Sequence, residues 1–93
     1  MSELWRAHVE ARDGAVLTLR IATVHPDAGP VPGTAAFATR LLADALLPES
    51  AGGDWTVTSA SVSQNEVLTV ELSGGDRLLE RIPPGYEWDS AAY

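Results

Sequence analysis

The chain has 93 residues, of which 45% are hydrophobic and 20% are charged, and its formal net charge is −7. This composition predicts one folded domain and argues against disorder. The absence of cysteine excludes disulfides, thiolate metal sites and a cysteine nucleophile. The negative charge disfavours nucleic acid and anionic membranes as partners. No signal peptide is visible and no apolar run is long enough to span a bilayer, so we expect a cytoplasmic protein.

The negative charge is concentrated in the second part of the chain. Residues 1–40 contain four arginines and four acidic residues, a sum of zero, whereas residues 41–93 contain two arginines and nine acidic residues, a sum of −7. A charged surface of this kind accelerates association with a protein of opposite charge. The distribution therefore favours a basic protein as the partner.

An Asp-Gly dipeptide at 13–14 predicts a β-hairpin between residues 4–12 and 15–24. A three-residue loop that pairs Ala11 with Ala15 gathers the apolar side chains on one face, because side chains alternate along a strand. The predicted core face consists of Trp5, Ala7, Val9, Ala11, Leu17, Leu19 and Ile21.

One helix is predicted in the middle of the chain. Residues 25–33 contain three prolines and two glycines, which is typical of a loop. Thr34 is a suitable N-cap for a helix over residues 35–47, and Pro48 would end it. The apolar stripe of this helix consists of Phe37, Ala38, Leu41, Leu42 and Ala45.

A second hairpin is predicted from residues 54–62 and 66–72, with Val62 paired with Val67. Residues 54–62 would form an exposed edge of the sheet, so a homodimer built by sheet extension is one predicted assembly. The predicted core face consists of Trp55, Val57, Leu68, Val70 and Leu72, and the register places Ser59 and Ser61 on the same face.

Residues 77–82 fit two elements. Leu78, Leu79 and Ile82 match one face of a helical turn capped by Asp76, whereas the hairpin pattern favours a strand, which we prefer.

The predicted fold class is therefore α+β, with one helix packed across one face of an antiparallel sheet. The sheet has four to five strands in the order ββαββ, and the segment 77–82 is the candidate fifth strand. Residues 1–84 would form the single domain, and residues 85–93 an aromatic, acidic tail that packs on it.

Four polar residues on the outer side of the first hairpin are candidate binding residues. His8 and Glu10 are two apart on one strand and project to the same side, as two metal ligands or a base and its orienting group would. Because zinc needs at least three protein ligands, we predict no metal site. The predicted register places Arg6 directly opposite Arg20, a destabilising arrangement that a carboxylate of the chain or an anionic partner would offset.

The tail supplies the other two candidates. Three of the six aromatic residues lie in the last nine positions, where Tyr86 and Trp88 alternate with acidic residues. Tyrosine and tryptophan are enriched at binding hot spots, but a small core also gains much from each buried aromatic. We expect the aromatics of the tail to close the core.

No catalytic or cofactor motif is present. The sequence lacks a nucleophile elbow, a phosphate-binding loop and a dinucleotide fingerprint, so we predict no catalytic residue and no cofactor. The favoured function is a non-catalytic acidic protein-binding module, such as an inhibitor, immunity-type or accessory protein. The alternative is a small enzyme or ligand-binding subunit whose site forms at a homodimer interface from His8, Glu10 and the arginines. An acidic mimic of nucleic acid is a third, less favoured function.

Overall fold

The computed structural model describes residues 3–45, 55–74 and 76–91 and confirms the predicted α+β class. A five-stranded antiparallel sheet has the strand order β3-β4-β2-β1-β5, and the longer helix packs on one of its faces. The elements are β1 (Trp5–Asp13), β2 (Val16–Thr23), α1 (Ala35–Ala45), β3 (Thr56–Val62), β4 (Val67–Ser73), α2 (Asp76–Arg81) and β5 (Glu87–Ser90). No helix in these described ranges is long and apolar enough to cross a membrane.

The first hairpin has a different register from the predicted one. Asp13 faces Val16 across a two-residue turn, and a bulge at Glu10 lies between Val9 and Ala11, so the predicted pairing of Ala11 with Ala15 is wrong. Gly14 has φ +60° in this turn, a conformation that glycine adopts without strain. Because a bulge adds one residue to one strand, Ala11 is exposed on the outer side instead of lying in the core.

Apart from Ala11, all the residues predicted for the core face of this hairpin are buried. Val9 faces Leu19, where the predicted register paired it with Leu17. A shift of two residues leaves every side chain on its original face, because the side-chain period of a strand is two.

Helix α1 begins at Ala35, directly after the predicted capping residue Thr34. The hydroxyl of Thr34 accepts a hydrogen bond from the backbone N–H of Phe37 at 3.1 Å, which satisfies a donor of the first turn. The predicted end of the helix at residues 46–48 lies outside the described residues. Its core stripe consists of Phe37, Ala38, Leu41 and Leu42, which are buried, and Ala45, which is partly buried.

The second hairpin also contains a bulge, at Thr58 between Val57 and Ser59. Val62 therefore faces Leu68 and not the predicted Val67. The prediction that Ser59 and Ser61 lie on the core face is wrong, because the extra residue turns both serines to solvent. Ala60 and Val62 pack against the core in their place.

Residues 77–82 do not form the predicted strand. They fall within α2 and the position after it, and Leu79 and Ile82, three residues apart, are both buried. A spacing of three places two side chains on one side of a helix but on opposite faces of a strand. The fifth strand of the sheet is instead β5, at Glu87–Ser90.

The core lies between the inner face of the sheet and the two helices. Trp5 is fully buried and meets Phe37 edge-on, with ring centroids 5.7 Å apart. Such an edge-to-face pair is a preferred aromatic geometry. Trp88 belongs to the same core and is 9% exposed.

Candidate functional site

The sheet face opposite α1 carries most of the predicted binding residues, and we call it the outer face. Its side chains are exposed or half-buried, because α1 covers only the inner face of the sheet. The cross-strand register places these residues on the outer face: Arg6, His8, Glu10 and Asp13 of β1; Val16, Thr18 and Arg20 of β2; Val67, Thr69 and Glu71 of β4; Ser59 and Ser61 of β3; and Glu87 and Asp89 of β5.

Arg6 is paired with a carboxylate of the tail. Its Nε donates to Asp89 Oδ1 at 2.7 Å and its Nη2 donates to Asp89 Oδ2 at 3.3 Å, across neighbouring strands. This fork geometry is the stronger form of an arginine–carboxylate pair. The hydrogen bond from Arg6, with the attraction of its charge, lowers the pKa of Asp89.

Arg20 is paired with the residue at the bulge of β1. Its Nε donates to Glu10 Oε1 at 2.5 Å, and this hydrogen bond lowers the pKa of Glu10. The bulge matters here because an extra residue re-aims a side chain relative to a regular strand.

The predicted juxtaposition of Arg6 and Arg20 is wrong. In the observed register Arg6 faces Ala22, and Arg20 faces His8. His8 in turn faces Glu87, with His8 Nδ1 and Glu87 Oε2 3.8 Å apart. The two arginines are therefore not opposite each other, and each is paired with a carboxylate of the chain itself, Arg6 with Asp89 and Arg20 with Glu10.

The two arginine–carboxylate pairs make a pH-dependent contribution to folding. The pKa values of Glu10 and Asp89 are lowered in the folded state from ordinary values of 4.5 and 3.8. A carboxylate with a lowered pKa stabilises the fold above its unfolded pKa, and the contribution is lost as the pH falls through the folded pKa. We expect wild type to be more stable than Glu10→Gln/Asp89→Asn at pH 7, with a difference that shrinks steadily below about pH 4.

Urea unfolding of both proteins between pH 7 and pH 3 measures this difference, and subtracting one curve from the other removes the pH effects that they share. High salt should also reduce the difference at pH 7, because exposed ion pairs are screened. A difference that stays constant with pH would contradict the assignment of these two pairs.

The middle of the outer face on β2, β4 and β3 is uncharged. Thr18, Thr69 and Ser61 form one row across three strands. Val16, Glu71 and Ser59 form the next row, in which Ser59 Oγ lies 3.4 Å from Glu71 Oε1. Apart from Glu71, the side chains of these two rows are small and uncharged.

Carboxylates outnumber arginines on the outer face as a whole. The face carries Glu10, Asp13, Glu71, Glu87 and Asp89 against Arg6 and Arg20, which leaves a formal charge of −3 with neutral histidine. Four of these acidic residues were not predicted from the sequence as members of this site: Asp13, Glu71, Glu87 and Asp89.

Tyr86 and Trp88 lie on the other side of the sheet. The indole Nε1 of Trp88 donates to the carbonyl of Leu41 at 2.9 Å, and the hydroxyl of Tyr86 lies 3.4 Å from the carbonyl of Ala45. The two rings are 5.5 Å apart. These contacts with α1 separate the two aromatics from the four other predicted binding residues.

Asp44 joins α1 to the end of β5. Its Oδ2 accepts hydrogen bonds from the hydroxyl of Ser90 at 2.5 Å and from the backbone N–H of Ala91 at 3.2 Å. Ser90 is 1% exposed and Asp44 is half-buried. The bonds hold the last strand under the helix.

Two further side chains, His25 and Arg12, make hydrogen bonds to backbone groups. His25 Nδ1 accepts a hydrogen bond from the backbone N–H of Asp27 at 3.1 Å and caps a short 3₁₀ turn at Pro26–Ala28. Arg12 donates to the carbonyl of Leu79 in the last turn of α2, where a cation is favourable. Within the part of the chain that the structure describes, no three histidine, aspartate or glutamate side chains are grouped as metal ligands would be.

Comparison of the chain with known protein families, with curated proteins and with solved structures gave no match.

Proposed function

We propose that the protein is a non-catalytic binding module that docks a basic protein on the outer face of its sheet. The observation that carries this proposal is the charge balance of that open face, where five carboxylates oppose two arginines. A partner with an excess of lysine and arginine is attracted to this face and oriented by it.

The distribution of charge on the face supports a docking role. Both arginines already bind carboxylates, so the remaining negative charge comes from acids that are exposed. Asp13 and Glu71 flank Val16, next to the uncharged row formed by Thr18 and its neighbours on β4 and β3. An uncharged centre beside carboxylates resembles the usual anatomy of an interface, in which charge is depleted at the core and a polar rim surrounds it.

Charge reversal on the outer face tests the proposal. We expect Asp13→Lys/Glu71→Lys to reduce the association rate constant with the natural partner about tenfold, because rim charges act mainly on the rate of encounter. The matched control is Glu3→Lys/Asp27→Lys, which changes the net charge equally at the opposite end of the sheet. The control should retain most of the rate.

The experiment begins with co-purification from the source cells and continues with surface plasmon resonance at several salt concentrations. A basic partner whose association slows with salt, and slows further with the outer-face variant alone, supports the proposal. Equal losses in both charge-reversed proteins, or a partner that is itself acidic, would contradict it.

A further inference from the structure

The loop that joins β2 to α1 contains a short 3₁₀ turn that is capped by a histidine side chain. The turn covers Pro26–Ala28, and the backbone N–H of Ala28 donates to the carbonyl of His25 at 3.0 Å. Because Pro26 has no N–H, the first donor of the turn is the backbone N–H of Asp27. This group donates to Nδ1 of His25 at 3.1 Å.

The hydrogen bond at the cap fixes the protonation state of the imidazole. A ring nitrogen accepts a hydrogen bond only through its lone pair, so Nδ1 of His25 carries no proton while it caps the turn, and the proton of the neutral ring is on Nε2. Helical turns are usually capped by an oxygen of serine, threonine, asparagine or aspartate. Histidine changes its charge between about pH 5 and pH 8, so this cap is lost in a pH range in which the usual caps still accept.

The protonated ring has a second partner in the same turn. Oδ2 of Asp27 lies 3.7 Å from Nδ1 of His25. A hydrogen bond between an imidazolium and a carboxylate is about 2.7–2.9 Å long, so a movement of about 1 Å is sufficient to form it. The side chain of Asp27 is 85% exposed, and it can therefore move without disturbing the core.

The segment before β1 contacts this part of the loop through its backbone. The carbonyl of Leu4 accepts hydrogen bonds from the backbone N–H of Val24 at 2.8 Å and from that of His25 at 3.4 Å. The charged residue of this segment is Glu3, whose side chain is exposed. Among the described residues, the carboxylate that is paired with His25 is that of Asp27. The imidazole therefore has both of its alternative partners within the turn.

We propose that His25 is a pH-sensitive cap: in acid its Nδ1 takes a proton from solvent, releases the backbone N–H of Asp27 and binds the carboxylate of the same residue. The exchange changes the start of a loop that carries Val31 into the core and places Gly33 against Val62 at the end of β3. One contact to Asp27 is present in each protonation state, so the local conformation changes while the domain stays folded. This inference is independent of the proposed docking function.

Nuclear magnetic resonance at about pH 8 and at about pH 5.5 tests the exchange, because these values lie near the two ends of the histidine range. A scalar coupling across the hydrogen bond, between the amide nitrogen of Asp27 and Nδ1 of His25, should be present at the higher pH and lost at the lower. The amide proton of Asp27 should shift in parallel with the titration of the His25 ring. The control variant His8→Asn removes the other histidine and should leave this shift unchanged.

Two further variants separate the two partners of the ring. His25→Asn keeps a capping acceptor that does not titrate, so the amide shift of Asp27 should be nearly constant over the same range. Asp27→Asn keeps the backbone donor and removes the carboxylate, so in acid the turn has neither contact. The amide of Ala28 should then exchange with water several-fold faster than in wild type, whereas the two proteins should exchange alike at the higher pH.

Three results would overturn the proposal. One is the absence of the coupling between Asp27 and His25 at the higher pH. Another is an amide shift of Asp27 that follows pH in His25→Asn as it does in wild type. The third is equal exchange of the Ala28 amide in wild type and Asp27→Asn in acid.

Discussion

Replacing Trp88 by alanine is expected to lower the free energy of unfolding by about 3–5 kcal/mol. The side chain is 9% exposed and donates its indole N–H to the carbonyl of Leu41. A buried tryptophan removes about 150–250 Å² from water, which corresponds to about 4–6 kcal/mol at 25 cal/mol per Å². The free energy of unfolding of a native protein is about 5–15 kcal/mol, so this loss would remove a large fraction of it.

Chemical denaturation of Trp88→Ala measures this loss, and two further variants interpret it. Glu87→Ala changes the neighbouring side chain on the outer face and should shift the stability by only about 0.5 kcal/mol. Trp88→Phe keeps an aromatic ring but removes the donor to Leu41, so its cost should be intermediate. Trp88 emission typical of a water-exposed indole in a Trp5→Phe/Trp55→Phe background would contradict the buried position.

The alternation of apolar and polar residues was sufficient to predict four strands of the sheet and most of its inner face, and helical periodicity predicted the longer helix. Trp5, Leu19 and Val70 lie in the core as expected, because burial of a whole face dominates the energetics of each strand. Thr34 was recognised because its hydroxyl acts within the local sequence, three residues from the donor that it satisfies.

Neither bulge was predicted from the sequence, and the physical reason is the same for both. Glu10 and Thr58 are exposed polar residues, and an exposed polar residue fits a regular strand as well as a bulge. The cost of a bulge is met by tertiary contacts that the local pattern does not contain, such as the hydrogen bond from the hydroxyl of Thr58 to the carbonyl of Glu71 at 3.1 Å.

The outer-face site could be predicted only in part. Arg6, His8, Glu10 and Arg20 share that face, and the strand pattern of the first hairpin already grouped them. The partner of Arg6 is 83 residues away, and pairing over such a distance leaves no local trace. The alternation of aromatic and acidic residues at 86–89 was nevertheless a strand signal, and it would have placed Glu87 and Asp89 opposite the aromatics.

Truncation of Leu19 to alanine is the second change with a large expected effect, about 2–5 kcal/mol. Leu19 is fully buried on β2, between Val9 of β1 and Leu68 of β4. Removing most of its side chain from the centre of the sheet leaves a cavity that neighbours on three strands cannot fill without shifting their backbones.

Thr18→Ala is the matched control, since Thr18 precedes Leu19 on the same strand and its side chain lies on the outer face. Its cost should be about 1 kcal/mol or less, the span of β-propensity effects. Urea denaturation of both variants and of wild type, fitted with a common slope, gives the two differences. A cost for Leu19→Ala below about 0.5 kcal/mol, typical of a surface substitution, would show that the inner and outer faces of β2 are assigned the wrong way round. The large cost at Leu19 beside the small cost at Thr18 is what a sheet with one packed and one open face requires.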